Sequence, residues 1–494
     1  MKRKFILLLL AFLMFLMTAC SQSPDTVTDN NGGGGGDDAG QNNESPVVED
    51  KLAKYDFGGQ EVRILTSINA SENYITNSNY MIEGLGEING EIVNDAVYKR
   101  NMDVESLLNV TFDYTHMDED YGTVQTEMSK LILSGTDAYD LIINDIRSLV
   151  NLSLQGMFLN TRTTDIFDLS QNYWYKDFMD DVAIGKEKSF ILAGDYFADV
   201  LRNCHALFLN KTMLEQQMSG GSDELYQKVL DGKWTFDEFL TLTKSFFEDV
   251  NGDGSYTNAD DQFGFICVGT WGSAQPFMMA ADTGVFTKDS DGVPGFTMNN
   301  PKSIQLHDYL TQLFTKDSGG NSSFGGEVLV TQFQSRKSLM VGYQRLATLE
   351  HLRNMEDEVS ILPYPKLNSA QQNYITSAHD TTEVGAIPTT TENFDMICVV
   401  LEALNREAKN TIIPAYYEQS LKIKYARDDV SSQIIDIIHD SMGNVFPLAY
   451  SETISGVLTL YDVSATKNFT SGYEKLEARV ESRLDEVIDL FIGS

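Results

Sequence analysis

The chain has 494 residues, of which 42% are apolar and 11% aromatic. This length and composition are sufficient for two or more packed globular domains. Acidic residues outnumber basic residues 72 to 36, which gives a formal net charge of −36 at pH 7. Because phosphate binding needs clustered Lys and Arg, this balance argues against a surface for nucleic acid or anionic membranes.

Residues 1–19 have the organisation of a secretory signal peptide. Three cationic residues at positions 2–4 precede an uncharged apolar run over residues 5–17. The run is too short for a membrane-spanning helix, which needs about 20 residues. Small residues, Thr18 and Ala19, stand before Cys20 as they do at a cleavage site.

The sequence Met17-Thr18-Ala19-Cys20 resembles the bacterial lipobox, in which the cut precedes a Cys that carries a diacylglyceryl lipid. The alternative is an ordinary signal peptide with a Cys near its cut. Residues 20–54 then include five consecutive glycines among polar residues, a composition typical of a flexible linker. We therefore expect a lipoprotein with palmitate on Cys20, anchored at the outer face of a bacterial cell membrane.

The remaining cysteines, Cys204, Cys267 and Cys398, are widely spaced and form no CxxC motif. We expect them to be small buried apolar residues and not metal ligands.

The mature chain begins with alternating strand-like and helix-like segments. Strands are predicted at residues 61–66, 110–115 and 140–145, with amphipathic helices between them. This alternation is typical of a helix-covered parallel sheet. Further on, residues 206–210 and 263–268 read as strands, residues 234–247 as a helix, and long helical stretches dominate after residue 381.

Several segments resemble the family 1 extracellular solute-binding proteins, which include the maltose-binding proteins. Residues 206–216 resemble the family's strand that ends in Tyr/Phe-Asn-Lys, and residues 234–246 resemble its Trp-Thr-x-Asp-Glu-Phe helix. Residues 333–342 resemble its Phe-x-x-Gly-Lys-x-x-Met element, with Arg336 in place of the Gly. Two further short matches follow in the family's order: ILPYPKL at 361–367 resembles its Leu-Pro-x-Pro strand, and GAIPTTTEN at 385–393 resembles the turn that follows that strand.

The resemblance implies an α/β fold of the two-lobed periplasmic-binding-protein type (type II). Each lobe would be a helix-covered, mainly parallel sheet, with the hinge crossed more than once. The first lobe would hold residues 55–203 and 375–428, and the second residues 204–374 and 429–494. The implied function is capture of a carbohydrate by cleft closure and its delivery to an ABC importer, by a monomer with no enzymatic activity and no organic cofactor.

The sequence DVNGDGSYTNAD at residues 249–260 fits the start of an EF-hand calcium loop. Calcium takes six or more oxygen ligands, and Gly254 permits the sharp turn at the sixth position. Asp at the twelfth position replaces the EF-hand Glu and has a shorter reach. The predicted structural Ca²⁺ ligands are Asp249, Asn251, Asp253, Ser255, Thr257 and Asp260. The alternative is a solvated acidic turn without metal.

Sugar sites combine flat apolar faces with a few polar groups for the hydroxyls. Trp271 is the best candidate, because it lies in a glycine-rich segment after a predicted strand and loops carry ligand contacts. An aromatic residue is more often core than cleft, so each of these assignments has a structural alternative. The other candidate ligand contacts are Trp174, Tyr175, Asp195, Tyr343, Arg345 and Asp380.

Two other classes of protein remain open. A secreted, lipid-anchored glycoside hydrolase needs only two carboxylates about 5 to 10 Å apart, and 72 acidic residues cannot exclude one. A structural or adhesive surface lipoprotein would need no hinge. The sequence lacks the GxSxG, HExxH and GxxxxGK[ST] motifs of common enzyme classes.

Overall fold

The computed structural model describes residues 51–67, 78–117, 119–256, 260–352, 354–422, 429–464 and 466–493. The predicted signal peptide, Cys20 and most of the predicted linker lie outside these residues. The strands are Gln60–Ser67 (β1), Val110–Met117 (β2), Leu141–Asp145 (β3), His205–Asn210 (β4), Phe263–Val268 (β5), Phe286–Lys288 (β6), Pro294–Phe296 (β7), Gly320–Phe324 (β8), Ser338–Arg345 (β9), Val359–Leu362 (β10) and Glu383–Ala386 (β11).

Helices cover the two larger of the three described sheets and dominate the carboxyl-terminal third of the described chain, as the sequence predicts. The α-helices are Ser78–Ile82 (α1), Ile92–Leu108 (α2), Tyr121–Leu133 (α3), Ile146–Ser153 (α4), Lys176–Val182 (α5), Asp199–Arg202 (α6), Lys211–Gln217 (α7), Gly221–Leu230 (α8), Phe236–Ser245 (α9), Gln275–Ala280 (α10), Pro301–Leu313 (α11), Gly326–Gln334 (α12), Leu349–Leu352 (α13), Phe394–Lys422 (α14), Asp429–Asp440 (α15), Phe446–Ala449 (α16) and Phe469–Gly493 (α17). Short 3-10 turns are Thr161–Thr163, Thr270–Ser273, Lys316–Ser318, Leu346–Thr348 and Leu458–Tyr461.

The first sheet has the strand order β11-β3-β1-β2, in which β1 is parallel to both β2 and β3. All five residues of β3 are buried, as expected for a strand covered on both faces. Helix α2 packs with the apolar face that its periodicity predicts, and Val93, Val97 and Val104 are at most 1% exposed. The predicted strand-helix-strand-helix-strand order is thus confirmed.

The second sheet has the order β10-β4-β9-β5-β8. Strand β5 is parallel to β8 and β9, but β4 is antiparallel to both β9 and β10, so this sheet is mixed instead of mainly parallel. Helix α9 covers it through Phe239, whose ring lies 5.1 Å from that of Phe265 in β5. Gly264 allows this close approach, because a Cβ there would lie 1.8 Å from the Thr243 carbonyl oxygen.

The chain passes from the first sheet to the second through α6 and β4, and it returns through residues 376–382 to β11. The two crossings run side by side: the His205 N–H donates to the Ser377 carbonyl at 2.9 Å, and the His379 N–H donates to the Asn203 carbonyl at 2.9 Å. The hinge is therefore crossed more than once, and its strands bring the ends of both sheets together.

The strands of the first sheet fall within the residues predicted for lobe 1, and those of the second within lobe 2. The exact lobe boundaries stay a prediction, since residues 51–494 form one compact unit by their contacts. Cys204, Cys267 and Cys398 are buried free thiols, which confirms their predicted character. None of the described helices combines the length and apolarity that crossing a membrane requires.

Candidate functional site

Five polar or aromatic side chains meet where the two crossings join the sheets, and we call them the junction cluster. His205 begins β4. Tyr343 and Arg345 lie in the last three residues of β9, and His379 and Asp380 lie just before β11. The Tyr343 ring stacks on that of His205 at 5.5 Å and 28°, and it lies 5.5 Å from the His379 ring. The members are His205, Tyr343, Arg345, His379 and Asp380. The structure thus brings together three of the predicted ligand contacts.

The backbone of Tyr343 has a φ of 54°. A positive φ is uncommon for any residue except glycine, and it is rare for a bulky side chain. The Tyr364 hydroxyl accepts the Tyr343 N–H at 2.7 Å and holds this conformation. Such strain persists only where the surroundings enforce it, and it is concentrated at functional sites.

The Tyr343 ring also lies against the turn Thr270–Ser273. A Cβ at Gly272 would be 3.2 Å from Tyr343 Cζ, so the glycine permits this contact. Trp271 belongs to the same turn, but its side chain lies outside the described part of the structure. The turn expected to carry a stacking residue therefore adjoins a second aromatic residue.

The charges of the junction cluster are matched. Arg147, at the start of α4, places its Nη1 atom 3.2 Å from Asp380 Oδ2 and its Nε atom 3.3 Å from Asp145 Oδ1. Burial would raise the pKa of Asp380, but His379 and Arg147 together hold it below its ordinary value. Burial lowers the pKa of both cluster histidines, which are therefore neutral near pH 7. The cluster offers one carboxylate, one guanidinium group and two imidazoles to a polar ligand, and Arg147 adds a second guanidinium group beside it.

His205, His379, Asp145 and Arg147 were not among the sequence-predicted contacts. Asp145 could have been predicted, because it is a polar residue at the carboxyl end of a predicted parallel strand. Ligands of open α/β sheets bind beyond the carboxyl ends of the strands. No local pattern marks His205, because only the second crossing places it beside His379.

Trp174 is placed in the interior and is 3% exposed. Its Nε1–H donates to Glu402 Oε2 at 2.8 Å, and its ring lies 4.8 Å from that of Phe167. The buried indole links α14 to the segment before α5, and its role as a ligand contact stays a prediction.

Tyr175 and Asp195 belong to a second buried network. The Tyr175 hydroxyl donates to Asp195 Oδ1 at 2.7 Å, and His439 Nε2 lies 3.3 Å from the same oxygen. His439 Nδ1 lies 2.7 Å from Asp440 Oδ1. Asp195 is 0% exposed and Tyr175 is 6% exposed, and both contact α15 through His439, so their roles as ligand contacts stay predictions.

The acidic loop after α9 is organised by its own backbone. Asp249 accepts the N–H groups of Gly252 and Gly254 at 2.9 and 2.8 Å, and the Ser255 N–H donates to Asp253 at 2.7 Å. Lys316 donates to the Gly254 carbonyl, and its Nζ lies 4.0 Å from Asp249 Oδ2. Lys316 thus partly neutralises the negative charge of the loop carboxylates.

Thr257 lies outside the described residues. Within the described ranges, no group of three or more His, Cys, Asp or Glu is arranged to hold a metal. Calcium coordination by Asp249, Asn251, Asp253, Ser255 and Asp260 stays a prediction.

An open groove of about 840 Å³ lies between α3, α4 and the end of α17. Amides of Gln125, Asn151 and Gln155 line it, together with Thr453 and Asp489. Among the described residues that line it there is no aromatic ring, so the junction cluster is the better candidate for stacking on a sugar.

No protein-family model and no curated protein matches this sequence. Solved structures do match. A cyclo/maltodextrin-binding protein complexed with maltotetraose has a TM-score of 0.53 at 12% identity, and the match covers 88% of this chain and 97% of that one. An ABC transporter solute-binding protein from Thermotoga lettingae, bound with alpha-D-tagatose, has a TM-score of 0.52 at 12% identity, with 87% and 100% covered.

The chain has the fold of the ABC-transporter solute-binding proteins. The expected two-lobed α/β architecture is thereby confirmed, and the likeness extends over 88% and 87% of this chain in the two matches. At 12% identity this likeness shows the fold alone. In the solute-binding-protein fold of this chain, the junction cluster lies at the crossings between the sheets.

Proposed function

We propose that this protein is an extracellular, lipid-anchored solute-binding protein that captures a carbohydrate and delivers it to an ABC importer. The observation that carries the proposal is the likeness in fold, over 88% of the chain, to a protein solved with maltotetraose. A second protein of the same fold was solved with tagatose. The junction cluster supplies the chemistry that a sugar needs.

The Tyr343 ring, and Trp271 in the adjoining turn, would stack on the C–H faces of a sugar ring. Asp380 and Arg345 would bind its hydroxyl groups through charge-assisted hydrogen bonds. Because these residues come from β9 and from the second crossing, a ligand that touches both favours the conformation in which they lie close together. That difference in affinity between conformations would drive closure.

Anchoring and location rest on the sequence. Residues 1–19 would direct export, Cys20 would carry the lipid, and residues 20–54 would link it to the folded part. The protein would act as a monomer, and the importer would bind its closed conformation. A structural Ca²⁺ in the acidic loop completes the proposal and is tested separately below.

We propose binding without catalysis, because both structural neighbours are described as binding proteins. A glycoside hydrolase would release product from its substrate, whereas a binding protein returns its ligand unchanged. Product analysis therefore distinguishes these two classes directly.

The test is thermal unfolding of residues 51–494 against a panel of neutral sugars, uronates and short peptides, with product analysis after incubation. A ligand present at 100 times its dissociation constant adds about 2.7 kcal/mol of stability. Stabilisation by one class of sugar without product supports the proposal. Stabilisation by peptides alone, or product formation, contradicts it.

The variant Tyr343→Ala is expected to weaken sugar binding by about 1 to 3 kcal/mol in calorimetry, as for other aromatic anchors. Tyr309→Ala is the matched control, because Tyr309 also stacks on an aromatic ring, that of Phe236 at 4.8 Å, but belongs to α11. Equal affinity of the Tyr343 variant and the unsubstituted protein would remove Tyr343 from the site.

A further inference from the structure

Three carboxyl groups are buried together at the hinge, and we call them the hinge acids. Asp199 begins α6 on the first crossing, and Glu383 begins β11 at the end of the second. Asp145 ends β3 and pairs with Glu383 across the sheet. Asp145 and Glu383 are 1% exposed, and Asp199 is 2% exposed.

The contacts of the hinge acids join the two crossings. The Glu383 N–H donates to Asp199 Oδ2 at 3.3 Å, and the side chain of Asn203 donates to the same oxygen. The Ser67 hydroxyl lies 3.5 Å from Glu383 Oε1. Among the described residues, Glu383 Oε2, Asp199 Oδ1 and Asp145 Oδ2 have no hydrogen-bond partner.

Positive charge at the hinge is shared among more carboxylates than it can neutralise. Arg202 lies 3.5 Å from Asp199 and 3.2 Å from Glu350. Arg147 divides its contacts among Asp145, Asp380 and Glu452. Within the described ranges Glu383 forms no ion pair. The charged groups that act on the hinge acids from neighbouring elements are Arg147, Arg202 and Arg345, of which Arg147 also pairs with Asp380 and Arg202 with Glu350.

A buried carboxylate without a cation is several kcal/mol less stable than in water, and such a group takes up a proton instead. Burial first, and then the charges of Asp199 and Asp145, raise the pKa of Glu383 well above its ordinary value. Burial also raises the pKa of Asp199 and Asp145.

We propose that Glu383 carries a proton in the folded protein and that this proton holds the two hinge crossings together. Loss of the proton to solvent leaves a carboxylate beside Asp199 and Asp145 in a site that excludes water. Repulsion between Glu383 on the second crossing and Asp199 on the first then favours their separation. The hinge is thereby sensitive to pH, whatever ligand the protein binds.

Proton linkage determines whether stability rises or falls with pH. The unfolded chain releases the Glu383 proton near pH 4.5, whereas the folded chain keeps it to higher pH. Stability from this group is therefore lost progressively as pH rises above about 4.5. While the folded chain holds this proton and the unfolded chain does not, the unfolding constant rises about tenfold per pH unit.

The experiment compares urea unfolding of the unsubstituted protein, Glu383→Gln and the control Glu392→Gln, whose side chain is exposed. As pH rises above about 5, the unfolding constant of the unsubstituted protein should rise relative to that of Glu383→Gln, by up to about tenfold per pH unit. The control should follow the unsubstituted protein. A ratio that stays constant with pH overturns the proposal.

Infrared spectroscopy provides a second readout that needs only the folded protein. At pH 7 the unsubstituted protein should show the carbonyl stretch of a protonated carboxyl group, and Glu383→Gln should lack it. If the Gln variant fails to fold, absence of the band from the unsubstituted protein still refutes the proposal. A band of undiminished intensity in a folded Gln variant places the proton on another acid and also refutes it.

Discussion

Raising the pH should weaken the fold through His439, which is 5% exposed on α15. Burial lowers the pKa of this imidazole, but its hydrogen bonds to Asp195 and Asp440 outweigh burial and raise it to about 9. The unfolded value is about 6.5. Because one pH unit corresponds to about 1.4 kcal/mol, the charged imidazole contributes about 3 kcal/mol to stability.

A histidine with a raised pKa stabilises the folded state fully below its unfolded pKa and loses this contribution as pH rises through the folded pKa. The loss is therefore expected between about pH 6.5 and about pH 9. The variant His439→Gln carries no charge, so it should be less stable at pH 6 and lack this part of the pH dependence. Its deficit relative to the unsubstituted protein should shrink by about 3 kcal/mol between about pH 6 and pH 10.

The assay is urea unfolding at closely spaced pH values, with His351→Gln as the control because His351 is exposed. The hinge acids act on both the unsubstituted protein and the variants, so the difference between proteins isolates His439. A deficit that stays constant from pH 6 to pH 10 would show that the imidazole is not charged in the folded state, and the reasoning would fail.

Two further outcomes are expected. Calcium should raise the melting temperature over that in EDTA, and Asp249→Asn should abolish the rise; an equal rise in the variant would place the ion elsewhere. Gly264→Ala should destabilise the fold by about 3 kcal/mol or more, because its Cβ would lie 1.8 Å from the Thr243 carbonyl oxygen, a backbone atom that cannot move aside. Gly326→Ala is the control, since no atom lies within 4 Å of that Cβ; equal unfolding midpoints of the two variants would contradict the packing argument.

The sequence by itself determined the elements and their class. Period-2 alternation predicts β1, and apolar periodicity predicts the buried face of α2, because backbone geometry alone sets both repeats. Short motifs that resemble the solute-binding family then predicted the fold that the structural comparison confirms. Local signals suffice here because the periodicity that predicts each strand or helix involves only residues close together in the sequence.

Only the tertiary structure decided which polar and aromatic side chains meet. Trp174, Tyr175 and Tyr343 look alike in sequence, yet two are buried in packing networks and one lies at the junction. His205 and His379 are 174 residues apart in the numbering, and they meet only because two crossings run side by side. The hinge acids likewise come from three distant segments, so their shared burial, and the proton it favours, arise only when the chain folds.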